Sequence, residues 1–363
     1  MDNPNLDPKI NPKMNSNLDS KMNSNLDPKM NSNLDPKMNS NLDPKISPHL
    51  DPKSDFISDL KPEPKSEPKS DPKSDHKPGP KYHHLVLSGG GIKGVAHVGA
   101  IKKLVDDGLI DLKQLKTVVG TSAGALLGSL VVLGFTIDEI WSFVYCLNFK
   151  KMFNPEIFLL FKKYGMETGQ TIYNLFEEIL HRKTGIKHIT FKQLFDLNQI
   201  HFVIVGTNLT DKKEMYYDYI NTPSFRISIA IRISISLPGM FVPVIIGGKT
   251  YIDGGMLNNY AMNLLEDKMD QTIGILICSE YHTEYKHPEE YFIAIMNLFM
   301  YSCVKDNEQK YPKNTLYIKK MPDPTLSFKF DIDSKTKMEF YKWGVESAEE
   351  FIKRQLEGLT SAP

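Results

Sequence analysis

A serine, a carboxylate and a glycine-rich loop are the residues of this chain whose types and spacing could do chemistry. Ser122 sits in Gly120-Thr121-Ser122-Ala123-Gly124, which follows the β-branched Val118-Val119 and precedes the helix-forming Ala125-Leu126-Leu127. Strand, sharp turn, helix is the context of a nucleophile elbow: Gly120 and Gly124 let the chain turn tightly enough to hold the serine hydroxyl out at the sheet edge. Upstream, Tyr82 to Ser88 reads as a strand running into Gly89-Gly90-Gly91-Ile92-Lys93-Gly94, and Val95 to Val105 continues as a helix. Unshielded N–H groups at the head of a helix face an anion or a developing oxyanion, and the helix dipole adds to the attraction. The third piece is Thr250-Tyr251-Ile252-Asp253-Gly254-Gly255. Alone it reads as an Asp-Gly hairpin turn; beside an elbow and an oxyanion loop, a carboxylate presented on glycines becomes a general base.

Together these pieces describe a serine acyl hydrolase, and the rival readings lack a part. The spacing of Gly89, Gly91 and Gly94 after a strand also fits a dinucleotide fingerprint, which needs an acidic residue at the end of the next strand to hold the ribose. That strand ends in Gly120-Thr121-Ser122, while Asp106, Asp107 and Asp111 fall before it begins, so no nucleotide is expected. An aspartate at its ordinary pKa of ~4 is a weak base toward a serine hydroxyl, so burial has to raise it. The order Ser, Asp, His also permits a Ser-Asp-His triad of the α/β-hydrolase type, with His282 or His287 as base and Asp253 orienting it. Both histidines lie in the polar stretch Glu280 to Glu289, which favours a Ser-Asp dyad. A catalytically silent lipid-binding protein is the reading from another class, and the presence of all three elements argues against it.

The three motifs, in this order, resemble the patatin-like phospholipase family, with Ala230 to Val244 matching the segment that precedes the Asp-Gly turn in such proteins; Ile233 stands there where a small residue is usual. The resemblance covers residues 82–280. It implies an α/β fold, a patatin-like three-layer sandwich with a mostly parallel central sheet. It also implies cleavage of fatty-acyl esters of phospholipids or neutral lipids by Ser122 as nucleophile and Asp253 as proton acceptor. The oxyanion hole would be drawn from Gly89, Gly90, Gly91, Gly94 and Ala123, with Gly254 and Gly255 forming the Asp-Gly turn. The expected partner is a lipid ester at a membrane or micelle surface. No cofactor and no metal are expected.

Composition narrows the setting. The chain has 363 residues, with Lys plus Arg and Asp plus Glu equal at 44 each, so no net field favours nucleic acid. Cys146, Cys278 and Cys303 are far apart, which suggests neither a disulfide framework nor a zinc site and reads as reduced core residues. The start of the chain lacks the charged and apolar regions of a signal peptide, and the longest apolar run, Ala123 to Phe135, falls short of the ~20 residues of a membrane span. An intracellular, cytoplasmic protein with peripheral membrane contact is expected.

Residues 1–80 carry an octad, Asn-Ser-Asn-Leu-Asp-Pro-Lys-Met, and then four-residue units such as Glu63-Pro64-Lys65-Ser66. A proline in every short unit and isolated apolar residues predict a disordered tail. The acyl hydrolase domain is expected over residues 81–363. Within it, strands alternate with helices, which predicts right-handed crossovers and a parallel sheet. Thr136, Thr168 and Thr190 are expected helix caps; Ile200 to Thr207 is a central strand with Lys213 to Tyr219 paired beside it. Pro223 to Ser236 is a helix whose Arg232 faces inward as an ion-pair partner. Gln271 to Cys278 is a last buried strand, and Pro288 to Val304, Thr315 to Lys319 and Ser334 to Leu356 alternate helix, strand, helix. Phe158-Leu159-Leu160-Phe161-Lys162-Lys163 is expected to be a core-facing amphipathic helix, with a lid lying on a bilayer as the alternative.

Overall fold

The computed structural model describes residues 79–278, 288–319 and 329–358. The repeat tail through residue 78 and the two candidate histidines, His282 and His287, lie outside the described residues. The aliphatic runs fold as strands β1 (His84–Leu87), β2 (Thr117–Thr121), β3 (Gly165–Glu167), β4 (His201–Asn208), β5 (Lys213–Tyr217), β6 (Gly239–Phe241), β7 (Val244–Ile246), β8 (Lys249–Asp253), β9 (Thr272–Ile277) and β10 (Thr315–Ile318). Between and after them run helices α1 (Val95–Asp106), α2 (Ala123–Val132), α3 (Ile137–Cys146), α4 (Ile157–Lys163), α5 (Gln170–Thr184), α6 (Phe191–Asn198), α7 (Ile227–Ser234), α8 (Pro288–Lys310) and α9 (Ser334–Leu356).

The main sheet runs β10-β9-β1-β2-β4-β8-β7, with β5 also on β4. From β10 to β4 every neighbour is parallel, whereas β5, β7 and β8 pair antiparallel. Successive residues of a strand point to opposite faces. Leu85, Leu87, Val118 and Ile204 accordingly enter one cluster, and Val86, Val119, Val203 and Val205 the other. Both faces are apolar because both are covered, as a parallel sheet requires. On the first face α1 and α9 approach so closely that a Cβ on Gly99 would lie 1.9 Å from the Tyr341 carbonyl oxygen. On the second lie Tyr260, Met262 and Leu265 with Val304 of α8. Helix, sheet and helix layers make the three-layer α/β sandwich that the alternation predicts.

Local signals hold at two of the three expected caps. Thr136 and Glu139 form a capping box for α3, and Thr190 and Gln193 do the same for α6; each cap contributes about 1 kcal/mol. At α5 the expectation fails. Gly169, with φ of 70°, is the N-cap, because the Thr168 amide and hydroxyl are held by Glu167. Arg232 is buried as expected, but its hydrogen-bond partners are neutral, and the negative charge of Glu167 acts on it without a direct ion pair. It donates to the carbonyls of Thr168 and Val242 and to Ser236 Oγ, and burial holds its pKa down to about 10. Helix α7 starts only at Ile227, since Asp218 C=O and Thr222 C=O tie residues 222–225 into turns. Ile233 is accommodated by Gly206, where a Cβ would be 3.0 Å from Ile233 Cγ2.

Two further expectations are corrected. Cys146, at the end of α3, is exposed rather than part of the core. Helix α4 has no buried residue at all, so it is not a core-facing helix. Among the described residues no helix is long and apolar enough to cross a membrane.

Candidate active site

The pairing of β4 brings Ser122 and Asp253 together. At Ile204 and Val205 the strand is flanked by β2 and by β5 at once, so these occupy opposite edges. From Gly206 to Asn208 it is flanked by β5 and β8, so β8 shares the edge of β2. The two strands meet end to end there: Thr121 is opposite Val205 and Asp253 is opposite Gly206. Ser122 follows the end of one strand and Asp253 closes the other.

Ser122 occupies the left-handed region, φ 52° and ψ −118°, a conformation unfavourable for a side chain with a Cβ and held only when the surroundings fix it. The elbow glycines are part of that hold. A Cβ at Gly120 would lie 2.5 Å from the Gly124 carbonyl oxygen, and one at Gly124 would lie 2.3 Å from that of Leu87. The Ser122 N–H donates to Ser234 Oγ (2.8 Å), whose hydroxyl donates to the Val205 carbonyl (2.6 Å). Ser234 is a residue that sequence reasoning passed over; its only signal was its place inside the segment preceding the Asp-Gly turn.

Asp253 is 2% exposed. Burial pushes its carboxyl up to about 7, against the Gly255 N–H and the Ser122 side chain, which favour the charged form. The Gly255 N–H donates to Asp253 Oδ1 at 2.7 Å, and the Asp253 N–H donates to the Ser236 carbonyl at 3.0 Å. Gly254 lies against β4, where a Cβ would be 2.4 Å from the Val205 carbonyl oxygen.

The glycine loop closes the third side. Gly89 is packed beside Ser122, with a Cβ there only 3.2 Å from Ser122 Cβ, and Gly94 is packed against Ala123. The Gly89 N–H donates to the Asn259 carbonyl at 3.2 Å. By contrast the N–H groups of Gly90, Gly91 and Ala123 have no acceptor among the described residues, and all three residues line the cavity in front of Ser122. Gly91 has φ of 56°, which turns the loop into the short 3-10 segment ahead of α1. Asn259, also unmarked in the sequence, lines the cavity with its side chain wedged between Gly89 and Gly255.

The cavity measures about 780 Å³. Ser122 and Asp253 stand at its polar end, and Leu126, Ile172, Phe176, Leu237, Met240 and Ile277 are among the apolar side chains that wall the rest. Among the described residues none that lines it is a histidine. His97, behind the glycine loop, is wholly buried on the Ser88 carbonyl, and burial lowers its pKa to about 4. Among the described residues no group of three or more His, Cys, Asp and Glu side chains is placed to hold a metal ion.

Comparison with known proteins gives the family. The patatin-like phospholipase family matches residues 85–265, and an uncharacterized protein of Acanthamoeba polyphaga mimivirus is 30% identical over 74% of this chain and 93% of its own length. The chain belongs to the patatin-like phospholipase family. A protein of Invertebrate iridescent virus 6, described as "Probable lipid hydrolase", is 28% identical over 67% of this chain and 81% of its own. Among solved structures, VipD from Legionella pneumophila aligns with a TM-score of 0.49 at 18% identity, over 76% of this chain and 67% of its own. As a member of the patatin-like family the chain is a lipid acyl hydrolase, with the motifs of residues 89–94, 120–124 and 253–255 inside the matched region.

Proposed function

We propose that the chain hydrolyses fatty-acyl esters of phospholipids or neutral lipids with a Ser122-Asp253 dyad. The observation that carries this reading is the hydroxyl of a strained elbow serine beside a buried carboxyl at about 7, at the polar end of an apolar cavity. Asp253 takes the Ser122 proton as Oγ bonds to the ester carbonyl carbon. The carbonyl oxygen becomes an oxyanion held by the N–H groups of Gly90, Gly91 and Ala123, donors that need no reorganisation during the reaction. Collapse breaks the ester bond, the leaving alcohol takes the proton from Asp253, and the acyl group remains on Ser122. Water, deprotonated by Asp253, then attacks the acyl-enzyme and releases the fatty acid. A base whose pKa lies near the working pH combines the correct protonation state with useful driving force, which is what burial does for Asp253.

The acyl chain lies along Leu126, Ile172, Phe176 and Met240, since a cavity of this size and lining removes a long alkyl group from water. The catalytic unit spans residues 81–363, and residues 1–80 are a tail without a part in the chemistry.

Release of fatty acid from a phospholipid micelle tests the reading. Ser122→Ala and Asp253→Asn each abolish it, whereas the double change His282→Ala with His287→Ala leaves it within a few fold. A general base contributes at least about 10²-fold, so a folded but inactive double histidine variant would replace the dyad with a triad. Lipid binding without fatty-acid release by the wild type would instead leave a silent binding protein.

A further inference from the structure

Next to a wall of the cavity lies a surface that water alone explains poorly. In α4, Phe158 and Phe161 are each 78% exposed and Ile157 is 54% exposed, and Tyr164 at its C-terminal end is 73% exposed. Leu159 and Leu160 are half-buried and no residue of this seven-residue helix is fully buried, so the three large apolar side chains it presents to water have no packing reason to be apolar. Lys151, Lys162 and Lys163 stand exposed around it, and none has an acidic partner among the described residues. The chain as a whole carries no net charge, so this cluster is a local feature.

Helix α4 is fixed to the wall of the cavity. The Glu156 N–H, at its start, donates to the Met166 carbonyl of β3 at 2.8 Å. β3 pairs in parallel with β6, and Met240 and Phe241 of β6 line the cavity. On β6 the ring of Phe292, from α8, lies over Gly239. Helix α8 is itself apolar and exposed at Tyr291 (57%) and Leu298 (62%), which also line the cavity. Exposed aromatic residues thus rim the ribbon from both sides.

We propose that α4, with the exposed side of α8, is the surface by which the protein docks on an anionic lipid bilayer, placing the cavity mouth at the membrane. Aromatic and aliphatic side chains enter the headgroup region while the lysines remain at the level of the phosphates, the arrangement of an interfacial amphipathic helix. Charge complementarity selects this occupant: an apolar patch flanked by lysines with no acidic partner among the described residues suits anionic lipid, each lysine near such a surface being worth about fivefold in binding. The inference rests on the reading of Ser122 and Asp253 as a lipid-ester hydrolase, and its test separates the two.

The full chain is mixed with vesicles of phosphatidylcholine containing about one third phosphatidylserine, near the anionic content such surfaces need for electrostatic recruitment. Sedimented protein and fatty-acid release are measured, with a monomeric ester, p-nitrophenyl butyrate, as the soluble control. Phe158→Ser with Phe161→Ser lowers vesicle binding and vesicle hydrolysis at least about tenfold and leaves the soluble ester within twofold. Lys162→Glu with Lys163→Glu weakens binding to the anionic vesicles but not to pure phosphatidylcholine. Unchanged vesicle binding in both variants overturns the docking surface, as does a patch that proves to join two copies of the chain, seen as a dimer that the phenylalanine changes split without altering vesicle binding. Loss of the soluble activity in the wild type would overturn the hydrolase reading instead.

Discussion

Replacing Asp253 by asparagine removes a carboxyl that the fold holds against its ionisation, and the consequence can be worked out. An aspartate in the unfolded chain ionises near ~4, and in the folded protein burial raises Asp253 to about 7. Between those two pH values the folded state binds one more proton than the unfolded state, so stability falls as pH rises, by about 1.4 kcal/mol per unit. The contribution is fully present below the unfolded pKa and lost as pH climbs through the folded one. Over about three units the deficit approaches 4 kcal/mol, an upper limit because water reaching the cavity softens the burial. Asparagine keeps a carbonyl to accept from the Gly255 N–H and never ionises. Asp253→Asn is therefore expected to be inactive, close to the wild type in stability near pH 4.5, and more stable by a few kcal/mol at pH 8. Urea unfolding of both proteins across that range checks it, because the difference between them cancels every other titrating group. A difference that stays flat with pH would show that the folded carboxyl is not raised, and a variant less stable at pH 8 would reverse the reasoning. The same shift requires kcat/KM of the wild type to climb with pH and level off above about 7.

Three other changes probe the rest of the site. Ser234→Ala leaves the Ser122 N–H and the Val205 carbonyl without their buried partner; it is expected to cost about 2 kcal/mol in urea unfolding and at least about tenfold in kcat as the elbow relaxes, and an unchanged kcat would detach Ser234 from the elbow. Gly91→Ala puts a Cβ on a residue with φ of 56°, costing about 1–2 kcal/mol of stability. It displaces an oxyanion donor worth about 10²- to 10³-fold, so turnover within threefold of wild type removes this loop from the mechanism. Ile172→Trp narrows the cavity where Ile172 lines it. Along a series of p-nitrophenyl esters the preference should move toward shorter acyl chains, with about 1–3 kcal/mol lost to overpacking; an unmoved preference places the acyl chain elsewhere.

What the amino-acid sequence determined by itself was most of what short-range pattern carries, the Thr168 cap excepted. The elbow around Ser122, the glycine loop and the Asp253 turn were legible because each depends on small residues within a few positions of the reacting group, and backbone geometry dictates those locally. The alternation of apolar runs with helices likewise set a covered parallel sheet, and the Thr136 and Thr190 caps could be read from the residue three places on. Tertiary structure decided what depends on neighbours distant in the chain. Nothing local says that β8 runs antiparallel on the edge of β4 that β2 vacates, yet that pairing is what sets Asp253 beside Ser122. Ser234 and Asn259 are ordinary polar residues until the fold places one under the elbow and the other between two glycine turns. Arg232 looked like half of an ion pair, since an inward-facing charge usually finds an opposite one; the fold gives it neutral oxygens to hydrogen-bond and leaves the charge of Glu167 to act without direct contact. Helix α4 carries the pattern of a buried helix, and only the fold shows that its phenylalanines face outward, 78% exposed each, while no residue of the helix is fully buried. The pKa of Asp253 belongs to the same class, because desolvation is a property of the packed surroundings and not of the residue.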